Sequence, residues 1–254
     1  PSAARPAAAV MNMKREEPGG GEASLSIIIP TLDEARSIGA TLDAVAAVRG
    51  VAEVIVADGG SRDGTLEIVR ARGVRVVECG RGRGLQMHAG AAAARGRALW
   101  FLHADTLAPP DAAERIAAAL ADARVAGGNF HIRFDGERRA ARFLTWLYPR
   151  LRRLGLCYGD SGIFVRRDAY ERVGGFNHFP IFEDLDLVRR LRRAGRVVHL
   201  PATVVTSSRR FEGRSFALTF ARWSALQTLY WLGVHPRRLA RLYAPVRKAV
   251  NHEP

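Results

Sequence analysis

Cysteine is almost absent from this chain: Cys79 and Cys157 are the only two in 254 residues, far apart and in no Cys-x-x-Cys pair. That excludes a disulfide framework and a thiolate zinc site, and makes a reducing, cytoplasmic setting the expectation. Lysine is as scarce, with only Lys14 and Lys248. The formal charge of +14 is therefore carried almost wholly by arginine, a side chain suited to bidentate contact with phosphate or carboxylate. The excess is uneven, since residues 1–136 hold 16 basic and 16 acidic groups whereas 137–254 hold 23 and 9. Phosphorylated substrates, anionic lipid and nucleic acid are the partners such a surface attracts. No apolar run reaches the ~20 residues that span a bilayer, and no internal repeat is visible. Residues 1–24, rich in Ala, Pro and Gly, lack the basic-then-apolar plan of a signal peptide. They read as a disordered tail, with Met11 or Met13 as the expected start.

What is present is an alternation of short β-branched runs with helical segments. Strands are predicted over 25–29, 53–57, 74–78 and 98–102, and helices over 35–48, 65–72, 85–94 and 111–121. This is the pattern of successive βα units on a parallel sheet. After Gly127 the rhythm changes, with Gly-rich strands over 129–134, 163–166 and 197–200 and basic helices over 138–154, 185–194 and 215–232. Each early strand ends in a polar cluster: Pro30-Thr31-Leu32-Asp33-Glu34, Asp58-Gly59-Gly60-Ser61-Arg62-Asp63, Gly80-Arg81-Gly82-Arg83-Gly84 and His103-Ala104-Asp105. Right-handed crossovers bring all four to one rim, where ligands of α/β sheets bind.

Each cluster has a bland explanation beside a functional one. Ser61 and Asp63 are expected to cap the following helix, which leaves Asp58 to accept hydrogen bonds from a base or ribose. Arg81 and Arg83 in a glycine-punctuated loop suit an anion at a helix N-terminus, or equally a solvated loop. His103 and Asp105, two positions apart on one side of a strand end, can hold a divalent cation. Glu183-Asp184-Leu185-Asp186 opens a helix whose remainder is basic, as the macrodipole alone explains, yet the apolar stretch before it would desolvate a carboxylate and make it a base. Asp160, in Gly159-Asp160-Ser161-Gly162, is not accounted for by turn chemistry. His88, His131, His199 and His235 have no metal spacing, and Cys157 reads as a core or surface thiol. Residues 211–247 alternate aromatic and arginine side chains; a helix packed on the core is the favoured reading, an anionic membrane surface the alternative.

Taken together, over residues 25–200, these motifs resemble glycosyltransferase family 2 with the GT-A fold. They are Ser26-Ile-Ile-Ile-Pro30-Thr31-Leu32-Asp33-Glu34, Val56-Ala57-Asp58-Gly59-Gly60-Ser61-Arg62-Asp63, His103-Ala104-Asp105, Val173-Gly-Gly-Phe176 and Glu183-Asp184. The stretch from Arg83 to Gly90 and the His-Ala-Asp form are similar to the bacterial radical-SAM/selenodomain-associated transferase 2 subgroup. The resemblance implies a central, mostly parallel sheet flanked by helices. It implies a nucleotide-binding half over 25–127, an acceptor half over 128–210, and basic amphipathic helices over 211–254. It implies an inverting transfer of sugar from a nucleotide-diphosphate donor, a UDP-sugar, to an acceptor hydroxyl. Pro30, Thr31, Glu34, Asp58 and Arg83 would then meet the nucleotide, and Asp105 the cation that bridges the diphosphate. Asp184 would deprotonate the acceptor, with Glu183 beside it, and Asp160 would wall the acceptor side. His103 stands where the commonest pattern has Asp, and as an imidazole ligand it predicts Mn²⁺ over Mg²⁺. The acceptor is a small molecule or a lipid-linked one; no nucleic acid is expected, and the location is cytoplasmic or at the inner face of the membrane. A sugar-phosphate nucleotidyltransferase of the same architecture, or an inactive nucleotide-binding relative, is the alternative.

Overall fold

In the computed structural model, residues 24–136, 139–153, 159–208 and 215–242 are described. The expected tail over 1–24, apart from Ser24, and Cys157 lie outside them. The chain runs β1 (Leu25–Thr31), α1 (Ile38–Ala46), β2 (Val51–Asp58), α2 (Thr65–Ala71), β3 (Arg75–Glu78), α3 (Arg83–Ala93), β4 (Ala98–Phe101), β5 (Thr106–Leu107) and α4 (Ala112–Leu120). It continues through β6 (Val125–Phe134), α5 (Arg139–Arg153), a 3₁₀ turn (Gly159–Ser161), β7 (Ile163–Arg166), α6 (Arg167–Arg172), α7 (Glu183–Ala194), β8 (Arg196–Thr206), α8 (Phe216–Trp231) and α9 (Pro236–Leu242).

The strands form one eight-stranded sheet in the order β3-β2-β1-β4-β7-β6-β8-β5. Its first four strands are parallel, as their continuous apolar runs require. Beyond β4 the expected parallel run is interrupted, because β7 enters antiparallel to both β4 and β6. Strand β6 then pairs parallel with β8, and the short β5 antiparallel to it. Nothing in the apolar pattern distinguishes a strand entering from the other end. The two-residue β5 was not expected; it pairs Thr106 and Leu107 with Thr206 and Val205, and the two threonine hydroxyls meet at 3.0 Å.

Alternate residues of the central strands feed opposite faces. Ile27, Ile29 and Trp100 pack with Ile38, Leu42 and Val45 of α1, while Ile28, Leu99 and Phe101 pack with Met87 and Ala91 of α3. Helix α3 lies close on the sheet because Gly90 has no side chain; a Cβ there would overlap Ile28 Cγ2. Pro30 sits past the last β1–β4 pair, Ile28 with Phe101, where no ladder on that side is broken. A third, smaller cluster joins Ile181, Phe182 and Leu185 to Leu226 and Leu239, so part of the C-terminal aromatic face does pack inward. Phe216 and Phe220 pack on the first cluster, whereas Leu218, Trp231 and Leu232 are 72%, 58% and 75% exposed. Among the described residues no helix is long and apolar enough to cross a membrane.

Candidate active site

The first two strand ends are laced together before any ligand is considered. Asp58, at the end of β2, is 1% exposed and accepts from Thr31 Oγ1 at 3.0 Å, Ser61 Oγ at 2.5 Å, Ser61 N at 2.8 Å and Gly60 N at 2.9 Å. Both its oxygens are thus engaged in building the loop, rather than left open to a base or ribose. Neither Ser61 nor Asp63 is the N-cap residue of α2. The residue before α2 is Gly64, in a left-handed conformation that no side chain caps. Ser61 Oγ instead accepts from Asp33 N at 2.9 Å, and Asp63 accepts from Thr65 N at 3.2 Å and from Ala35 N across the cleft at 3.1 Å. Asp33, itself left-handed at φ 52°, returns the link by accepting from Arg62 N at 2.9 Å. Glu34, beside it, is half-buried and accepts from Ser37 Oγ at 2.9 Å.

Gln86 is a residue to which the sequence assigned no role. From α3 it donates to Thr31 O at 2.5 Å and Ala57 O at 3.1 Å, holding β1 and β2 at their ends. One turn earlier on the same helix is Arg83, so these two side chains share a face. Arg83 Nε pairs with Glu183 at the start of α7. Partial desolvation opposes its charge, but the three carboxylates of Glu183, Asp184 and Asp160 hold its guanidinium charged above the ordinary arginine range. The start of α3 therefore touches the start of α7 directly. A polar residue on the apolar side of a helix was the only signal for Gln86.

At α7 the backbone is strained: Phe182, the residue before the helix, is buried at φ 61°, a region where a bulky residue is an outlier. Glu183 is 1% exposed and committed to Arg83. Asp184 is buried too, and accepts from Gly159 N at 2.5 Å and Leu185 N at 2.8 Å. Burial first, and then the Glu183 charge, push its pKa above the usual carboxylate range; Arg83 and the two amides only partly oppose this. Asp186 belongs elsewhere, bound by Asn177 at 2.7 Å and Arg190 at 2.8 Å.

His103 meets this acid cluster from the end of β4. Its Nδ1 lies 2.8 Å from Asp160 Oδ1, and its Nε2 is buried with no hydrogen-bond partner among the described residues. A Cβ on Gly159 would stand 2.9 Å from that Nε2 and 3.2 Å from Asp184 Oδ2, so glycine keeps the histidine and the acid mutually accessible. Asp105 follows, half-buried, its carbonyl accepting from Ser207 N at 3.2 Å. Among the described residues no three His, Cys, Asp or Glu side chains gather as a cation cage. The orphaned, buried Nε2 of His103 is nevertheless donor chemistry that a divalent ion would take, with Asp105 two residues on as the carboxylate that would join it. Thr31 and Asp58, joined through α3 to Arg83, Glu183, Asp184, Asp160 and His103, form one connected rim; Pro30, Glu34 and Asp105 stand at the same strand ends and take no part in these contacts.

Three comparisons place this geometry among known proteins. A PGL/p-HBAD biosynthesis glycosyltransferase of Mycobacterium bovis is 30% identical over 204 residues, 75% of this chain and 78% of that protein. The mannosyltransferase PcManGT from Pyrobaculum calidifontis, solved with GDP-Man and Mn²⁺, superposes with a TM-score of 0.61 at 22% identity, over 86% of this chain and 66% of its own. Glucosyl-3-phosphoglycerate synthase from Mycobacterium tuberculosis, solved with Mn²⁺, UDP and glucosyl-3-phosphoglycerate, gives a TM-score of 0.58 at 21% identity, over 84% and 81%. Both structures share the fold. The model of the family described as Glycosyl transferase family 2 matches residues 26–174, and the chain belongs to that family of glycosyltransferases.

Proposed function

We propose that this protein is an inverting glycosyltransferase that takes a sugar from a nucleotide-diphosphate donor, a UDP-sugar, and that Asp184 is its base. The observation that carries the proposal is a buried, proton-avid carboxylate, Asp184, beside Arg83 and His103 at the strand-end rim. Thr31, with the loop that Asp58 shapes, and Pro30 and Glu34 frame the nucleotide, and Arg83 lies where its guanidinium can meet the diphosphate. Asp184 takes the proton of the acceptor hydroxyl as its oxygen attacks the anomeric carbon. The bond from that carbon to the diphosphate breaks on the opposite face, and the nucleoside diphosphate leaves with the electron pair. Asp105 and His103 would hold a divalent metal, Mn²⁺ in preference to Mg²⁺, which when bound neutralises the leaving diphosphate. Mn²⁺ in both neighbouring structures supports a divalent metal at this position. Glu183, spent on Arg83, positions that arginine instead of acting as a second base.

The mycobacterial relative acts in PGL/p-HBAD biosynthesis by its name, and a lipid-linked acceptor at an anionic membrane face suits the exposed apolar and arginine residues of α8 and α9. The subgroup assignment rests on the Arg83–Gly90 stretch and the His-Ala-Asp motif alone. Calorimetric titration of UDP, with GDP in parallel, in Mn²⁺ and in EDTA, on the wild type and on Asp105→Ala tests the donor site. Metal-dependent binding of UDP that the variant loses is the expected result, and no nucleotide binding under either condition overturns the proposal.

A further inference from the structure

We propose that Asp160 is a positioning residue for His103, holding the ring so that Nε2 presents a bare lone pair to the divalent cation; this rests on the metal-assisted transfer proposed above. An ionised carboxylate can only accept, so at 2.8 Å from Asp160 Oδ1 the proton of a neutral imidazole sits on Nδ1. Nε2 is then the unprotonated nitrogen, and it is the one buried without a partner. Leaving a buried polar atom unpaired is costly, a cost that a ligand at that position removes. Carboxylate-to-imidazole-to-metal chains of this kind fix the tautomer and raise the ligand's basicity.

The turn that carries Asp160 is clamped on both sides. Gly159 N donates to Asp184 Oδ2 at 2.5 Å, and Ser161 Oγ accepts from Asn129 Nδ2 at 2.8 Å, with Asn129 Oδ1 2.5 Å from His199 Nδ1. One three-residue turn therefore sets both the ring that faces the leaving group and the carboxylate assigned as base. An Asp-x-Asp site has no ring to orient; the histidine creates the need for Asp160. The competing arrangement is an imidazolium whose Nε2–H donates directly to the diphosphate without a cation.

The test is Mn²⁺ titration in the presence of UDP, with free Mn²⁺ read by electron paramagnetic resonance, alongside UDP affinity in EDTA. Asp160→Asn is expected to weaken Mn²⁺ binding about 10- to 100-fold with UDP affinity in EDTA unchanged. His103→Ala, which leaves the turn intact, should lose Mn²⁺ similarly. In a His103→Asp background, Asp160→Asn should cost nothing or strengthen Mn²⁺ binding, because two facing carboxylates repel. Equal Mn²⁺ affinity in the wild type and Asp160→Asn overturns this inference and leaves the metal-assisted reading standing. An equal loss in both backgrounds, which marks a merely structural residue, also overturns it, and weakened UDP binding in EDTA with Mn²⁺ affinity unchanged overturns it in favour of the imidazolium arrangement. No Mn²⁺ bound by the wild type overturns both.

Discussion

Asp184 and Glu183 are adjacent acids with opposite assignments, and their surroundings separate them. Glu183 has a guanidinium of its own, whereas Asp184 has two backbone amides and a neighbouring negative charge. A base must be ionised to work, and the Asp184 pKa is raised, so activity should fall with decreasing pH at a point above the ordinary carboxylate range. Glu183→Gln removes the repulsion and leaves Arg83 to attract Asp184 alone, so the acid limb of the kcat/KM profile should move to lower pH. An unmoved limb would assign the titration to another group. Asp184→Asn should lower kcat by about 10²- to 10⁴-fold, the usual worth of a general base. At this scale the sequence named both acids, but their division of labour depends on Arg83, a hundred residues away.

Helix α7 begins at a strained residue that the packing of α8 sustains. Phe182 lies against Trp223 and Tyr230, with ring centroids 6.0 and 5.0 Å away, while its backbone is left-handed. Truncating a buried Phe costs roughly 3–5 kcal/mol, and a left-handed non-glycine residue costs about 1–2 kcal/mol. Burial outweighs strain, so both Phe182→Ala and Phe182→Gly should be destabilised in urea unfolding. Phe182→Gly should be the more stable of the two, by about 1 kcal/mol, because it alone relieves the backbone; a helix-interior order with Ala above Gly would refute the strain. Element boundaries were legible to within a few residues where periodicity was strong, as in the strand predicted and found over 163–166. The caps were less legible. Ser61 and Asp63 have the composition of caps, and Asp63 does accept from Thr65 N at the start of α2, yet each also accepts from a backbone amide of the loop after β1, a partner that no local rule supplies.

Over the whole molecule the charge is unbalanced where the apolar surface is exposed. Residues 215–242 contain Arg222, Arg237, Arg238 and Arg241 and no acid, next to exposed Leu218, Trp231, Leu232 and Leu242. An anionic bilayer complements both features, at roughly 1 kcal/mol per arginine near the surface. Vesicles containing phosphatidylglycerol should therefore bring the protein to the top of a flotation gradient, high salt should release it, and Trp231→Ser with Leu232→Ser should weaken the capture. Flotation no better than with phosphatidylcholine alone would mark this face as a contact for protein.

The sequence alone determined the alternation of strands and helices, the apolar β1 and β4, and the acids, arginine and histidine at the strand ends, because those depend on periodicity and on neighbours in the chain. It also carried the family resemblance, since the motifs are contiguous. Only the tertiary structure decided which way β7 enters the sheet, that Gln86 ties two strands, that Arg83 belongs to Glu183, and that Asp160 holds His103. Each of these joins residues tens of positions apart. Orientation and pairing are then set by which buried polar groups find partners once the sheet has closed, a condition that no local segment contains.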